Sequence, residues 1–111
     1  MQDGIYHVNF SSSTGDFGEG LVVVKDGSVN GGDTGFLYRG QLSSNGGDLC
    51  GKFNVMLWNP GHKSVFGPID NFNLNLTGQT GQNNSFSISG AIDSHPHFTI
   101  NINGRYLSTV A

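Results

Sequence analysis

The sequence predicts an all-β fold, a small antiparallel up-and-down β-barrel of about eight strands. Several segments show strict alternation of apolar and polar residues, which places every second side chain on one face of a strand. Turn-forming clusters separate these segments, and no segment shows a sustained helical period. Tight sequential turns favour a meander, and closure of that meander into a barrel leaves no exposed sheet edge.

In the first half of the chain, alternation predicts strands with one face toward the core. The expected core residues are Tyr6, Val8, Phe10, Phe36, Tyr38, Leu42, Phe53, Val55 and Leu57. Residues 21–24 form an unbroken apolar run that ends at Asp26-Gly27, a two-residue hairpin turn, and a short return strand begins at Ser28. The glycine-rich residues 15–20 precede this run, and we expect them to form a turn or a bulge.

The second half alternates more cleanly, because its polar positions are almost all Asn, Ser or Thr. The expected core residues are Phe72, Leu74, Leu76, Phe86, Ile88, Phe98, Ile100 and Ile102. Such half-solvated strands are typical of antiparallel sheets. Gly104 is expected to bend the chain before a last short strand, and the irregular residues 59–68 are expected to cross one end of the barrel.

Length and composition favour one folded domain covering residues 1–111. Hydrophobic residues make up 35% and aromatic residues 11%, and the net charge is only −3, which argues against disorder. The basic residues lie scattered along the chain, so they cannot form the positive stripe that binding to nucleic acid requires. They are Lys25, Arg39, Lys52, Lys63 and Arg105. We therefore expect no direct contact with nucleic acid.

The cysteine count and the distribution of apolar residues predict where in the cell the protein resides. The single Cys50 excludes an internal disulfide framework, and residues 1–10 have neither the basic nor the apolar region of a signal peptide. No apolar run approaches the roughly 20 residues of a membrane helix. The sequence therefore predicts a cytoplasmic protein without membrane insertion.

No group of residues suggests an enzyme, a metal site or a cofactor. His95 and His97 have a spacing at which two imidazoles can point the same way, but no third ligand is evident, so we interpret them as a solvent-exposed pair. Cys50 falls on a polar face with no base assigned to it. We expect no catalytic residues, no metal and no cofactor.

Several apolar residues interrupt the polar faces of the predicted strands. They are Ile5, Val22 or Val24, Leu37, Met56 and Trp58. If they converge on adjacent strands, they form a patch suited to self-association, and the twofold dimer is the commonest closed assembly. The sequence therefore predicts a homodimer whose face contains Ile5, Val22, Leu37, Met56 and Trp58.

Four landmarks in the first half of the chain resemble those of the GrlR family, the bacterial negative regulators of type III secretion gene expression. They are residues 3–6 (DGIY), residues 18–21 (GEGL), residues 25–27 (KDG), and residues 31–33 (GGD) followed by residues 38–40 (YRG). The second half matches mainly through its pattern of strands.

The resemblance implies a lipocalin-like barrel with an apolar interior, which forms a homodimer and regulates transcription by binding a transcriptional activator protein. In the family this contact is attributed to an acidic run in the loop that follows the Tyr-x-Gly strand. The corresponding residues here are Ser44, Asn45, Gly46, Gly47 and Asp48. Only Asp48 is acidic, and a single carboxylate supplies little electrostatic steering toward a basic partner.

An alternative function is a carrier of a small apolar ligand held in the barrel interior. The residues expected to line such a site are Tyr6, Phe10, Phe36, Tyr38, Phe53, Phe72, Phe86 and Phe98. An internal cavity on the order of a few hundred Å³ favours this alternative, whereas a fully packed core excludes it.

Overall fold

The strands form one closed antiparallel barrel in sequence order, and the computed structural model describes all 111 residues. The strands are β1 (Gly4–Ser12), β2 (Phe17–Lys25), β3 (Ser28–Gly32), β4 (Phe36–Asn45), β5 (Asp48–Leu57), β6 (Asn71–Thr80), β7 (Ser85–Ile92) and β8 (His95–Ser108). Each strand pairs with the next, and β1 pairs with β8 to close the sheet. The predicted all-β up-and-down barrel is confirmed.

The core lies inside the barrel and follows the alternation of the sequence. Every residue that the pattern assigned to the core is either buried or half-buried against the buried cluster. The polar partners of these residues, such as Asn73 and Asn75 on β6 and Ser87 and Ser89 on β7, point outward and are exposed. One side of each strand is therefore dry and the other is in water.

In the apolar run of β2, Val22 faces the interior of the barrel and not the outer face on which it was expected. Val22 is 6% exposed and lies in one row with Tyr6 of β1, while Val24 pairs with Val29 of β3. The turn at residues 26–27 sets this register by pairing Lys25 with Ser28. The expectation that Val22 lies on the outer face is wrong, because the register directs Val22 and Val24 inward and leaves their neighbours outside.

The structure also contradicts two expectations about glycines. Gly104 does not bend the chain, because β8 runs without interruption from His95 to Ser108. Residues 15–20 are not wholly a turn or bulge, because β2 begins at Phe17 and pairs with β1 in unbroken register. The inward glycines of these strands instead leave room for aromatic rings: a Cβ on Gly18 would lie 2.9 Å from the Phe10 ring.

The barrel has two different ends. The plugged end is formed by residues 13–16, 33–35, 58–70 and 93–94, and the N-terminal end by residues 1–3, 26–27, 46–47 and 81–84. At the plugged end, Phe66 is buried against Phe72 and Phe98. The hydroxyls of Ser12 and Thr14 donate to the Val65 carbonyl oxygen at 2.7 and 2.6 Å. The irregular segment thus crosses the barrel end, as the sequence predicts.

Substitution of Gly104 by alanine is expected to lower the free energy of unfolding by about 2 kcal/mol, because forcing an extra group into a close contact costs about 1–3 kcal/mol. The new Cβ would lie 1.9 Å from Cε2 of Phe86, with which Gly104 is paired. Urea unfolding followed by circular dichroism measures the change. Gly46→Asn is the control: Gly46 has a φ of 61° with nothing within 4 Å, and asparagine tolerates this conformation. Equal stability of Gly104→Ala and the wild type would contradict the packing argument.

Candidate functional site in the barrel interior and on its outer face

The barrel encloses a cavity of about 310 Å³, and 20 of its 28 lining residues are hydrophobic. An apolar cavity of about half this size is enough to stay dry and bind benzene. Six of the eight aromatic residues predicted for a ligand site line this cavity. They are Phe10, Phe36, Tyr38, Phe53, Phe72 and Phe86. The interior is therefore not completely filled by its own side chains.

Tyr6 and Phe98 do not line the cavity, so their assignment to it is wrong. Tyr6 is 1% exposed, packs edge-on against Phe86 and Tyr106, and donates its hydroxyl proton to the Gln2 carbonyl oxygen at 2.6 Å. Phe98 packs beneath Phe66 at the plugged end. Both rings are used to fill the ends of the barrel and are not available to a ligand.

The cavity is long and reaches the surface at the plugged end. Gly18 and Val24 both line it, and they lie six residues apart on β2, which corresponds to about 20 Å along the strand. At the plugged end its lining includes Phe17, which is 83% exposed, and the exposed His62 and Lys63. We call this opening, lined by Phe17, Asp33, Thr34, His62, Lys63 and Ser64, the mouth.

The carboxylate of Asp33 holds the residues around the mouth in place through three hydrogen bonds. Its Oδ1 accepts hydrogen bonds from the backbone N–H groups of Gly35 and Phe36 at 2.9 and 2.8 Å, and its Oδ2 accepts the hydroxyl proton of Tyr38. Burial raises the pKa of Tyr38 well above its ordinary value, and the hydrogen bond to Asp33 and the negative charge of Asp33 act in the same direction. Tyr38 is thus a fixed, neutral wall of the cavity.

A second feature is a strip of apolar side chains on the outside of the barrel. The outer apolar strip consists of Ile5, Leu21, Val23, Leu37, Met56 and Trp58. Ile5 pairs with Val23, Leu37 pairs with Met56, and only the side-chain-free Gly32 separates Leu21 from Leu37.

Four predicted face residues therefore lie on the strip, and Val22 does not. Trp58 is 56% exposed, and its Nε1 donates to the Asp33 carbonyl oxygen at 3.2 Å. Leu21, which is 50% exposed, and Val23 were missed, because a continuous apolar run does not show which residues face outward. The one indication in the sequence is the Asp26-Gly27 turn, which fixes the register of β2 against β3.

The predicted partner loop lies at the N-terminal end, away from the mouth. Ser44 and Asn45 end β4, Gly46 and Gly47 form the turn with positive φ, and Asp48 begins β5. Asp48 is exposed, and one of its carboxylate oxygens accepts a hydrogen bond from Gln79 Nε2 at 3.4 Å. The hairpin presents hydroxyl, amide and backbone groups with a single negative charge.

The remaining candidate groups lie apart from these features. His95 and His97 are exposed, with ring centres 6.2 Å apart, and both pack against Phe98. The structure contains no group of three or more residues placed to hold a metal ion. Cys50 is exposed on β5. No helix in the structure has the length and apolar character needed to cross a membrane.

Comparison with known proteins gives one family. A family model described as GrlR, a T3SS negative regulator, matches residues 1–110. The match thus extends from the landmarks in the first half through all the strands of the second half. No curated protein matches the chain.

Because Tyr38 keeps its proton in the folded state, the barrel is expected to lose stability in alkali. An unfolded tyrosine titrates near pH 10, so above that pH the unfolded chain releases a proton that the folded chain retains. The free energy of unfolding should then fall by about 1.4 kcal/mol per pH unit for this group. Urea unfolding between neutral and alkaline pH measures the slope.

Tyr38→Phe is the matched variant for this measurement. It should show a shallower fall above about pH 10, although it loses a hydrogen bond and is less stable than the wild type near neutral pH. Part of the slope should remain, because burial also raises the pKa of Tyr6. Identical slopes in the wild type and the variant would refute the assignment to Tyr38.

Proposed function

The chain belongs to the GrlR family of negative regulators of type III secretion, and we propose that it acts by binding other proteins and not by catalysing a reaction. The observation that carries this proposal is the outer apolar strip. Single exposed apolar residues are ordinary on a protein surface, whereas a contiguous group marks an interaction site. The strip also contrasts with the amide and hydroxyl surface of β6, β7 and β8.

The occupant that we propose for the strip is a second copy of the same chain. A twofold axis places the same patch on both subunits, so an apolar strip is its own complementary surface. Its borders carry charge, with Arg39 next to Leu37 on β4 and the exposed Lys25 at the end of β2. Borders of this kind favour an ordered, wet rim around an apolar centre.

We further propose that the resulting homodimer represses gene expression in the cytoplasm by binding a transcriptional activator. The hairpin with Ser44, Asn45, Gly46, Gly47 and Asp48 is the candidate contact. Because Asp48 is its only charge, the hairpin binds through its hydroxyl, amide and backbone groups, and electrostatic steering contributes little. The partner surface is then polar without being strongly basic.

Substitution of Leu37 by glutamate is expected to dissociate the dimer, because it puts a charge at the centre of the strip beside Met56. A central interface residue contributes about 2 kcal/mol and the twofold dimer loses it in both subunits, so the dimer dissociation constant should rise about 1,000-fold. Analytical ultracentrifugation over a range of concentrations measures this constant. A reporter gene for type III secretion should lose repression in the same variant.

Ser87→Glu is the control for the added charge, because Ser87 is exposed on the outer face of β7 and lies outside the strip. It should leave both dimerisation and repression unchanged. Asp48→Asn should weaken repression less than about fivefold, as expected for loss of one exposed charge. A wild-type protein that stays monomeric at every concentration, or a Leu37→Glu variant that still dimerises, would contradict the proposed dimer.

A second candidate function, transport or sensing of a small apolar ligand, is favoured by the cavity. A packed barrel interior would have excluded it, and the space of about 310 Å³ does not. The two functions are compatible, because the ligand site is inside the barrel and the strip is outside.

Substitution of Val24 by phenylalanine should reduce binding of the neutral probe decanol by at least about tenfold, because the ring occupies space that the ligand needs. Val24 lines the cavity and is buried. Isothermal titration calorimetry measures the affinity, and circular dichroism checks that the variant is folded. Val23→Phe is the matched control, because the neighbouring residue points outward and its ring does not enter the cavity. Equal affinity in both variants would place the binding site elsewhere.

A further inference from the structure

The mouth of the cavity contains a positive charge without a partner. The structure has one ion pair, between His7 Nε2 and Glu19 Oε2 at 3.0 Å, and it lies on the outer face of β1 and β2. Lys63, which lines the mouth, is therefore bound to no carboxylate. Its ammonium group offers three donors at the point where the apolar cavity meets water.

The two carboxylates that line the cavity, those of Asp33 and Glu19, already have hydrogen-bond partners. Asp33 accepts hydrogen bonds on both carboxylate oxygens, from two backbone N–H groups and from the Tyr38 hydroxyl. Glu19 is engaged by His7. A bound molecule therefore meets free donors at the mouth, while the main acceptors are in use.

His62 supplies a second free donor. The Asn59 side-chain Nδ2 donates to the Thr34 carbonyl oxygen at 2.9 Å and to His62 Nε2 at 3.1 Å. An amide nitrogen can only donate, so Nε2 accepts and the ring proton lies on Nδ1. The ring is also held in place, because it sits over Gly35, where a Cβ would lie 2.6 Å from His62 Cβ.

We propose that the cavity binds a single-chain amphiphile whose apolar chain lies inside the barrel and whose carboxylate head group lies at the mouth, against Lys63 and His62. This inference rests on the carrier function proposed above. Two donors on adjacent residues match the two oxygens of one carboxylate. The length of the cavity, which extends from Gly18 to Val24 along β2, suits an extended chain. The exposed Phe17 covers the part of the chain nearest the head group.

The experiment compares three probes with the same chain, decanoate, decanol and decylamine, by isothermal titration calorimetry on the full-length protein at neutral pH and low salt. Decanoate should bind about fivefold more tightly than decanol, which is the size expected for a half-exposed charged contact. Lys63→Gln should abolish that difference between decanoate and decanol. High salt should reduce the same difference.

Lys52→Gln is the matched control, because Lys52 is exposed on the outer face of β5 and does not line the cavity. It should preserve the preference for decanoate. Equal binding of decanoate and decanol would overturn the head-group assignment and leave the carrier function standing. Tightest binding of decylamine would overturn it in favour of Asp33 as the counter-charge. Failure of all three probes to bind would overturn the carrier function and this inference together.

Discussion

Pairing of β1 with β8 is the constraint on which the rest of the structure depends. Val8 lies opposite Gly104 and Phe10 opposite Ile102, so the first and last strands share one continuous inner surface. In the closed sheet, one face of every strand turns toward an enclosed interior and the other face turns outward. An open sheet of the same strands would leave two unpaired edges and no enclosed space. The cavity, the mouth and the outer strip all follow from this closure.

Much of the fold was predictable because alternation is a local property. The strands with Asn, Ser or Thr at every second position, such as β6 and β7, identify their own inner faces. The run in β2 does not, because an apolar residue at each position fits either orientation and only pairing with β1 and β3 decides between them. Gly104 was misjudged for a related reason. The sequence alone does not distinguish a glycine at a bend from a glycine that makes room for an aromatic ring. The ring concerned belongs to Phe86, which pairs with Gly104 but lies 18 residues away in sequence.

The candidate site was predictable only in part, since a cavity is the space that remains after all side chains have packed. The aromatic residues expected to line it divide into those that do and those, Tyr6 and Phe98, that are used to fill the two ends. The identity of an aromatic residue does not show whether it lines the cavity or fills an end of the barrel. The apolar run in β2 now has an explanation, because Val22 and Val24 face the cavity while Leu21 and Val23 face outward. One strand thus lines the internal cavity and also contributes to the outer apolar strip.

The unfilled space also has a mechanical consequence. Unfolding lets water into volume that the folded chain encloses but does not use, so the unfolded state occupies less total volume. Hydrostatic compression therefore shifts the equilibrium toward the unfolded chain, and more strongly than it would for a barrel with a solid interior. A molecule bound in the cavity fills the unused volume, so the barrel then responds to pressure like one with a solid interior. The pressure at which the barrel unfolds thus distinguishes the ligand-free protein from the ligand-bound one, whatever the ligand is.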